Sequence, residues 1–320
     1  MMSTKTVEIL LATYNSEKYL EELLSSLISQ TYHDFKIIVS DDCSTDGTVE
    51  ILRQFAASDN RIIIENTSTK FGSACANFIH LLSISTADYV LLCDHDDVWR
   101  RDKIERCVQE ISRAESSCGK EIPLLFFSDV AVVDRDLNLI AESHCSFAKM
   151  PTSESSLDLN HVIVQNPVLG CSSIANRALV CLINRRIPDP EKLIMHDWFM
   201  AIMAAADGQI SYIPESLVMY RQTGENQVGA RQAGKINRAI IVRAITQFQE
   251  SLLQAAYIAK EYSEVLPKAA IETLCEYANL ASRSRIMRIV LCFKRGYLKH
   301  SLERILGEIV ALLLIPSGSK

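Results

Sequence analysis

The sequence predicts an α/β fold: a mostly parallel central sheet with flanking helices, followed by an all-helical C-terminal segment. Three observations predict it. Apolar runs of strand length alternate with helical patterns over the first hundred residues, shorter strands separated by turns follow from Leu124, and the pattern beyond about Gln222 is helical. The chain has 320 residues, 48% of them hydrophobic and 22% charged, so it can bury a sizeable core.

Strands and helices alternate in the first part of the chain. Apolar runs predict strands, and apolar residues spaced by three and four predict helices. We expect strands at residues 7–12, 36–40, 61–65 and 89–93, and helices at residues 16–29, 48–57, 73–85 and 100–114. These strands are mostly apolar because helices cover both faces of a parallel sheet.

The next part of the chain has shorter elements. Strands are expected at residues 124–127, 131–133, 139–141, 210–213 and 217–220, with a hairpin turn at 134–138 and helices from about Asn176 and around 193–206. Gly229 and Gly234 bracket polar residues, which predicts a boundary near residues 227–234. The expected domains are therefore residues 1–228 and a helical region at residues 229–320.

Charge and cysteine content restrict the class of protein. The net charge of −6 gives no reason to expect a nucleic-acid partner, although residues 281–320 carry eight Lys or Arg against two Glu. Ten cysteines without a C-x-x-C pair indicate reduced thiols in a cytosolic protein. We expect no signal peptide and no transmembrane helix, since no apolar run reaches 18 residues.

The strand predicted at residues 89–93 ends in three carboxylates, Asp94, Asp96 and Asp97. Acids crowded at the end of a buried strand repel one another and lose hydration. A divalent cation that carries phosphates would relieve this, since hard cations take oxygen ligands. The alternative is a solvated acidic turn that caps the following helix.

Polar loops follow two other strands as well. Thr13, Tyr14 and Asn15 follow the first strand, and the loop at residues 41–48 follows the second. Ser, Thr and Asp in that loop are good helix caps, but capping does not explain Asp41 at the strand end, where a carboxylate can accept a hydrogen bond from a nucleobase or ribose. The three loops are expected to meet, because ligands of open α/β sheets bind at the carboxyl ends of strands.

Several segments resemble family 2 glycosyltransferases. Three segments resemble the N-terminal half of that family: Val7-Glu-Ile-Leu-Leu-Ala-Thr-Tyr-Asn15, Leu27-Ile-Ser-Gln-Thr31 and residues 37–48. Asp94-His-Asp-Asp97 resembles the D-x-D motif of the family. The resemblance continues in order through residues 127–129, 166–171, 195–198 and 220–222, and it covers roughly residues 5–230. The sequence pattern is similar to that of bacterial O-antigen and capsule rhamnosyl-, glucosyl- and galactosyltransferases.

The resemblance implies a GT-A fold, a UDP- or dTDP-sugar donor, Mn²⁺ or Mg²⁺, and inversion at the anomeric carbon. Thr13 and Tyr14 would line the base pocket, and Asp41 would bind the base or ribose. Asp94 and Asp96 would face ribose and metal, with Asp96 as the expected direct ligand. Asp197 would be the general base. His196 is the rival for that role, although a His beside an Asp is more often structural or acceptor-binding.

Two departures from the family pattern bear on the substrate. Relatives often carry His after Tyr-Arg-Gln, where this chain has Thr223, so the third protein contact to the metal site is in doubt. The chain also lacks the Q-x-x-R-W motif of processive synthases. We therefore expect transfer of one sugar rather than polymerisation.

The C-terminal helical region is basic and amphipathic. Residues 283–304 place seven Lys or Arg among apolar side chains, and residues 305–315 are apolar apart from Gly307 and Glu308. Such a segment suits docking on an anionic membrane surface, and a packing arm or a dimer interface is the alternative. The expected location is cytoplasmic, peripheral on the inner face of the cell membrane, with a lipid-diphosphate-linked sugar as acceptor.

Two other functions fit parts of the pattern. Asp94-x-Asp96 after an apolar strand resembles the nucleophile loop of haloacid-dehalogenase-like phosphatases, with Asp94 attacking phosphorus, but there it belongs in the first strand and here three strands precede it. The other alternative is a catalytically silent nucleotide-sugar-binding protein. The presence of Asp41, Asp96 and Asp197 together argues against it.

Overall fold

The computed structural model describes residues 5–224 and 238–314, and its centre is one mixed sheet. The strands in those ranges are β1 (Val7–Thr13), β2 (Phe35–Asp41), β3 (Ile62–Asn66), β4 (Tyr89–Cys93), β5 (Val98–Trp99), β6 (Leu124–Asp134), β7 (Leu139–Ala141), β8 (Ser173–Asn176) and β9 (Gln209–Gln222). Their spatial order is β3-β2-β1-β4-β8-β6-β9-β5, and β7 pairs with β6.

Helices cover both faces of the sheet, and four more follow it. The helices that precede β9 are α1 (Glu17–Ile28), α2 (Thr48–Ser58), α3 (Ala74–Ile84), α4 (Lys103–Cys118), α5 (His144–Phe147), α6 (Leu159–Val162), α7 (Arg177–Asn184) and α8 (His196–Asp207). Those that follow are α9 (Arg238–Glu261), α10 (Lys268–Ala278), α11 (Arg285–Arg295) and α12 (Leu302–Leu314). The predicted helical C-terminal segment is confirmed, while the boundary predicted at 227–234 lies outside the described residues.

The first four predicted strands are confirmed as a parallel half-sheet. β1 pairs with β2 up to Thr13 opposite Asp41, and with β4 up to Leu11 opposite Cys93. The carboxyl ends of these strands therefore lie at one edge, and the loops that follow them meet there.

The other half of the sheet contains both parallel and antiparallel pairs. Among its described strands, β6 and β9 form the parallel pair. β8 runs antiparallel between β4 and β6, whereas β6 and β9 are parallel. The short strands predicted at 124–127 and 131–133 are one strand, β6, and those predicted at 210–213 and 217–220 are one strand, β9. Their pairing continues through register shifts near Asp129, which accommodate Pro214.

Two cores lie on opposite faces of the sheet. Ile9 and Leu11 of β1 pack with α1, α2 and α4, whereas Leu10 packs with α3, α7 and α8. The second core also contains Phe248 and Tyr277 of the C-terminal helices. These helices are therefore packed on the sheet domain. No helix in the described ranges is both long and apolar enough to cross a membrane.

Asn176 joins three elements at the end of β8. Its side-chain oxygen accepts hydrogen bonds from the Leu179 amide (3.1 Å), which caps α7, and from the Leu124 amide (2.9 Å). Its side-chain nitrogen donates to the Ile122 carbonyl oxygen at 2.9 Å. The side chain is fully buried, so each of these groups depends on it.

Replacing Asn176 by Ala should lower the free energy of unfolding by about 2–4 kcal/mol, because the helix loses its cap and the Leu124 amide loses its acceptor. Urea denaturation followed by circular dichroism measures this. Asn279→Ala is the control, since Asn279 is exposed and donates only locally, to the Cys275 carbonyl oxygen; it should cost less than about 0.5 kcal/mol. Equal costs for the two variants would contradict the assignment.

Candidate active site

A cavity of about 850 Å³ opens at the carboxyl ends of β1, β2 and β4. All three polar loops predicted from the sequence contribute to its wall, and so do the N-terminal ends of α3 and α8. The residues that line it include Thr13, Tyr14, Lys18, Asp42, Lys70, Asn77, Phe78, Asp94, Asp96, Arg135, Gly170, Cys171, His196, Asp197, Tyr220 and Thr223. The predicted convergence of the loops is thereby observed.

The loops after β1 and β2 are fixed to each other by hydrogen bonds. The Asn15 amide donates to the Ser44 hydroxyl at 2.8 Å, and the Thr45 amide donates to the Asn15 side-chain oxygen at 2.9 Å. Asn15 and Cys43 have φ of +47° and +61°, a region that Asn tolerates better than most residues. The two loops therefore form one rigid side of the cavity.

Thr13 and Tyr14 lie on the cavity wall, whereas Asp41 does not. Asp41 is fully buried, and its carboxylate accepts hydrogen bonds from the Thr13 hydroxyl (2.8 Å) and from the Ser44 amide (2.8 Å) and hydroxyl (2.6 Å). The carboxylate that lines the cavity is that of Asp42, which accepts from the Phe71 and Gly72 amides. Asp41 thus supports the wall from behind.

The acidic loop after β4 is the most strongly perturbed part of the cavity. The pKa of Asp94 is raised to about 7, mainly by burial and in addition by the nearby carboxylates of Asp96 and Asp197. Burial also raises the pKa of Asp96, and it raises that of Asp97 well above the ordinary range. The crowding that the sequence predicted is therefore present: Asp97 is fully buried, and Asp94 and Asp96 are half-buried.

Two buried basic side chains lie beside this acidic loop. Lys103 of α4 is fully buried behind it, donates a hydrogen bond to the Cys171 carbonyl oxygen and lies 3.1 Å from the centre of the Trp99 ring. Arg221 of β9 is 2% exposed, and its side chain donates to the Asp96 carbonyl oxygen at 2.7 Å while its amide donates to the Asp97 carboxylate at 3.0 Å. Charge from inside the protein thus offsets part of the repulsion.

The donor atoms suit a hard divalent cation. Within the described ranges, the side-chain ligand atoms of Asp94, Asp97 and Cys171 lie within 4.8 Å of one another. Burial raises the pKa of the Cys171 thiol well above its ordinary value, so it stays protonated and the carboxylates are the useful donors. Asp96, the expected direct ligand, lines the cavity but lies outside this group.

Asp197 lies in the first turn of α8, on another part of the same cavity. Its two oxygens accept hydrogen bonds from the Asn166 side chain (3.0 Å) and from the Gly170 amide (3.1 Å). Burial raises its pKa to about 6, although these hydrogen bonds oppose the shift. Asp197 is therefore an oriented carboxylate whose pKa lies close to neutral pH.

His196 is the weaker candidate for a base. It is 2% exposed and stacks on Phe78 with ring centres 4.1 Å apart, and neither ring nitrogen has a hydrogen-bond partner among the described residues. Burial lowers its pKa to about 3, so the ring is neutral and weakly basic. The space that it occupies requires Gly170, since a Cβ there would lie 3.0 Å from its Nε2 atom.

Sequence reasoning missed several residues of the cavity and of its supports: Asp42, Lys103, Arg135, Asn166 and Gly170. Asn166 and Gly170 lie in a segment that resembles the family, so that segment was the available signal. Lys103 gave none, because a Lys in the first turn of a helix reads as exposed. Arg135 lies at the β6–β7 hairpin, far along the sequence from the other loops.

Replacing Asp94 by Asn should stabilise the nucleotide- and metal-free protein at pH 8 by about 1–3 kcal/mol, because it removes a charge that burial disfavours. The folded pKa of Asp94 is raised to about 7, so the wild-type carboxylate destabilises the fold above that pH and this cost disappears as the pH falls. The gain from Asn should therefore shrink towards pH 5. Chemical denaturation in EDTA at both pH values measures it.

The control for this prediction is Asp136→Asn, which removes the same charge from the exposed β6–β7 hairpin. It should change stability by less than about 0.5 kcal/mol at either pH. A destabilised Asp94→Asn variant at pH 8, or a gain that is the same at pH 5, would show that burial does not raise the pKa of Asp94.

Comparisons with known proteins point to one family of enzymes. Residues 8–120 match the family described as Glycosyl transferase family 2. The chain is 29% identical over 229 residues to "dTDP-rhamnosyl transferase RfbG" of Shigella flexneri, a match that covers 69% of this chain and 74% of that protein. It is 29% identical over 168 residues to "Putative teichuronic acid biosynthesis glycosyltransferase TuaG" of Bacillus subtilis (strain 168), covering 52% and 60%.

Solved structures show the same fold. S. aureus TarS 1–349 in complex with UDP superposes with a TM-score of 0.55 at 17% identity, covering 96% of this chain and 90% of that one. The mannosyltransferase PcManGT from Pyrobaculum calidifontis, in complex with GDP-Man and Mn²⁺, gives a TM-score of 0.52 at 16% identity, covering 98% and 86%. Residues 8–120 of this chain are therefore similar to glycosyltransferase family 2, and the chain has the fold of the GT-A glycosyltransferases.

Proposed function

We propose that this enzyme is an inverting glycosyltransferase that moves one sugar from a UDP- or dTDP-sugar to a lipid-diphosphate-linked oligosaccharide in bacterial surface polysaccharide assembly. The observation that carries the proposal is the pairing, in one cavity, of a crowded acidic loop with the separately oriented carboxylate of Asp197. The names of the relatives support the pathway and the donor class, since one is a dTDP-rhamnosyl transferase and another belongs to teichuronic acid biosynthesis.

The donor would lie across the loops that follow β1, β2 and β4. Thr13 and Tyr14 would contact the nucleoside, and Asp41 would act through Thr13 and Ser44 by holding that wall in place. Asp94, with Asp97 or Asp96, would hold Mn²⁺ or Mg²⁺. Such an ion supplies positive charge to the diphosphate leaving group. The Mn²⁺ and GDP-Man present with PcManGT, and the UDP present with TarS, support this arrangement.

Asp197 would take the proton of the acceptor hydroxyl. As the new bond forms between the acceptor oxygen and the anomeric carbon, the bond from that carbon to the diphosphate oxygen breaks and the nucleoside diphosphate leaves. A carboxylate with a pKa of about 6 is ionised at neutral pH and remains basic enough to accept the proton. One displacement with one base inverts the configuration, so no nucleophilic carboxylate is needed.

The cations on the cavity wall fit polyanionic substrates. Lys18, Lys70 and Arg135 are exposed and line the cavity together with the carboxylates. A nucleoside diphosphate and a lipid diphosphate both carry negative charge that such side chains attract. A lipid-linked acceptor also requires the enzyme to reach a membrane, and we place it at the inner face of the cell membrane, in contact through the C-terminal helices.

The alternatives are weaker. In a haloacid-dehalogenase-like phosphatase the nucleophilic aspartate would follow the first strand, whereas Asp94 follows β4, the fourth strand along the chain. A silent binding protein would not need an oriented carboxylate with a raised pKa. Transfer assays on Asp197 variants separate an enzyme from a silent binder.

Replacing Asp197 by Asn should lower kcat by about 10²–10⁴-fold, the usual contribution of a positioned base, while nucleotide binding stays within about twofold. The wild-type rate should fall as the pH drops through about 6, because the folded pKa of Asp197 is raised to that value and only the ionised form accepts a proton. Transfer from radiolabelled UDP- and dTDP-sugars to a lipid extract measures kcat and the pH dependence of the rate, and calorimetry measures nucleotide binding.

The matched control is Asp207→Asn at the other end of α8, which should keep full activity. An Asp197→Asn variant as active as this control would remove Asp197 from the mechanism. Equal loss of kcat and of nucleotide binding would indicate a collapsed site instead of a missing base.

A further inference from the structure

Helix α11 presents a row of apolar side chains to solvent. Ile286, Met287, Val290 and Phe293 are 77%, 47%, 50% and 56% exposed, although they lie on one face of the helix. A water-soluble helix normally buries such a stripe. Helix α11 packs Ile289, Leu291 and Cys292 on the core and leaves this second apolar row exposed.

A buried arginine fixes this orientation. Arg288 lies on the opposite face of α11, is fully buried, and donates hydrogen bonds to the carbonyl oxygens of Ala281 (2.6 Å), Arg283 (3.0 Å) and Leu312 (3.0 Å). A buried guanidinium requires such acceptors. Rotating the helix to hide Phe293 would break all three bonds, so the apolar face is held outward.

Helix α12 packs against α11 through the Arg288 bond to Leu312 and also exposes apolar side chains. Leu302, Leu306 and Leu313 are 79%, 55% and 41% exposed and recur at helical spacing along it. The exposed apolar surface consists of the exposed apolar residues of both helices: Ile286, Met287, Val290, Phe293, Leu302, Leu306, Leu313 and Leu314. Exposed clusters of this kind mark contact with a protein or a membrane.

The charges beside this surface favour an anionic lipid surface. Arg283, Arg285 and Lys294 are exposed at its edge, whereas Arg295 is paired with Glu276 at 2.7 Å. Two copies that met through the same face would bring these like charges together, which disfavours a symmetric dimer. Cations beside an apolar helix face instead match lipid phosphates above acyl chains.

We infer that α11 lies in the interface of an anionic phospholipid membrane, with Ile286, Val290 and Phe293 inserted and with Arg283, Arg285 and Lys294 at the level of the phosphates. This deepens the proposed location at the membrane and rests on the proposed function only in its choice of membrane. Arg288 acts as the internal strut that keeps the inserted face outward. The α11 and α12 helices contact lipid without spanning it.

The test is flotation of the full chain with vesicles of phosphatidylcholine alone or mixed with phosphatidylglycerol. The wild type should float with the mixed vesicles, and Ile286→Ser/Phe293→Ser should bind at least about tenfold more weakly. Leu139→Ser/Ile187→Ser is the matched control, because it removes apolar residues that are 59% and 62% exposed outside this surface. It should bind like the wild type. Arg285→Gln/Lys294→Gln should lose the preference for phosphatidylglycerol.

Three outcomes would overturn the inference: a wild type that floats with neither vesicle, equal loss of flotation in the control, or a wild-type dimer in light scattering that the Ile286→Ser/Phe293→Ser variant dissociates. The last would identify a second copy as the partner. Nucleotide binding in solution, measured on the same samples, tests the proposed function separately. If the wild type floats with the vesicles but binds no nucleotide, the proposed enzymatic function would be contradicted and the membrane contact would still be supported.

Discussion

The repulsion among the carboxylates at the end of β4 is the constraint on which the rest of the site depends. Carboxylate oxygens of Asp94 and Asp97 lie within 4.8 Å of each other, and burial raises the pKa of both residues. Lys103 and Arg221 offset part of that charge from inside the protein, and their placement requires α4 behind the loop and β9 beside it. Part of the cost remains, and a bound cation with its diphosphate would remove it.

Most of the first half-sheet could be predicted from the sequence, because parallel strands are apolar on both faces and their helices keep a regular spacing. In the second half of the sheet, the sequence did not show which of the short predicted strands form one continuous strand. Polar residues near Asp129 and the proline at position 214 look like strand ends, yet register shifts carry the pairing past them. The two-residue strand β5 is too short to show a period, and its pairing with β9 depends on contacts far along the sequence.

The site was predictable where polar residues directly follow a strand, as for Thr13, Tyr14 and Asp94. Strand ends alone do not show which of two adjacent carboxylates faces a cavity, so Asp41 was expected on the wall that Asp42 occupies. In the same way, the sequence does not show that Asp97, and not the adjacent Asp96, has its carboxylate close to those of the other possible metal ligands. Supports such as Lys103 and Asn166 are invisible to local patterns, because their function depends on burial that tertiary packing creates.

We expect the acidic loop to bind a nucleoside diphosphate together with a divalent cation. Calorimetry of UDP, dTDP and GDP binding, with and without Mn²⁺, on the wild type, Asp94→Ala and the exposed-hairpin variant Asp136→Ala tests this most directly. One nucleotide should bind in a metal-dependent manner to the wild type and to Asp136→Ala, and Asp94→Ala should lose this binding. Binding of none of the nucleotides to the wild type, or metal-dependent binding that survives in Asp94→Ala, would contradict this expectation.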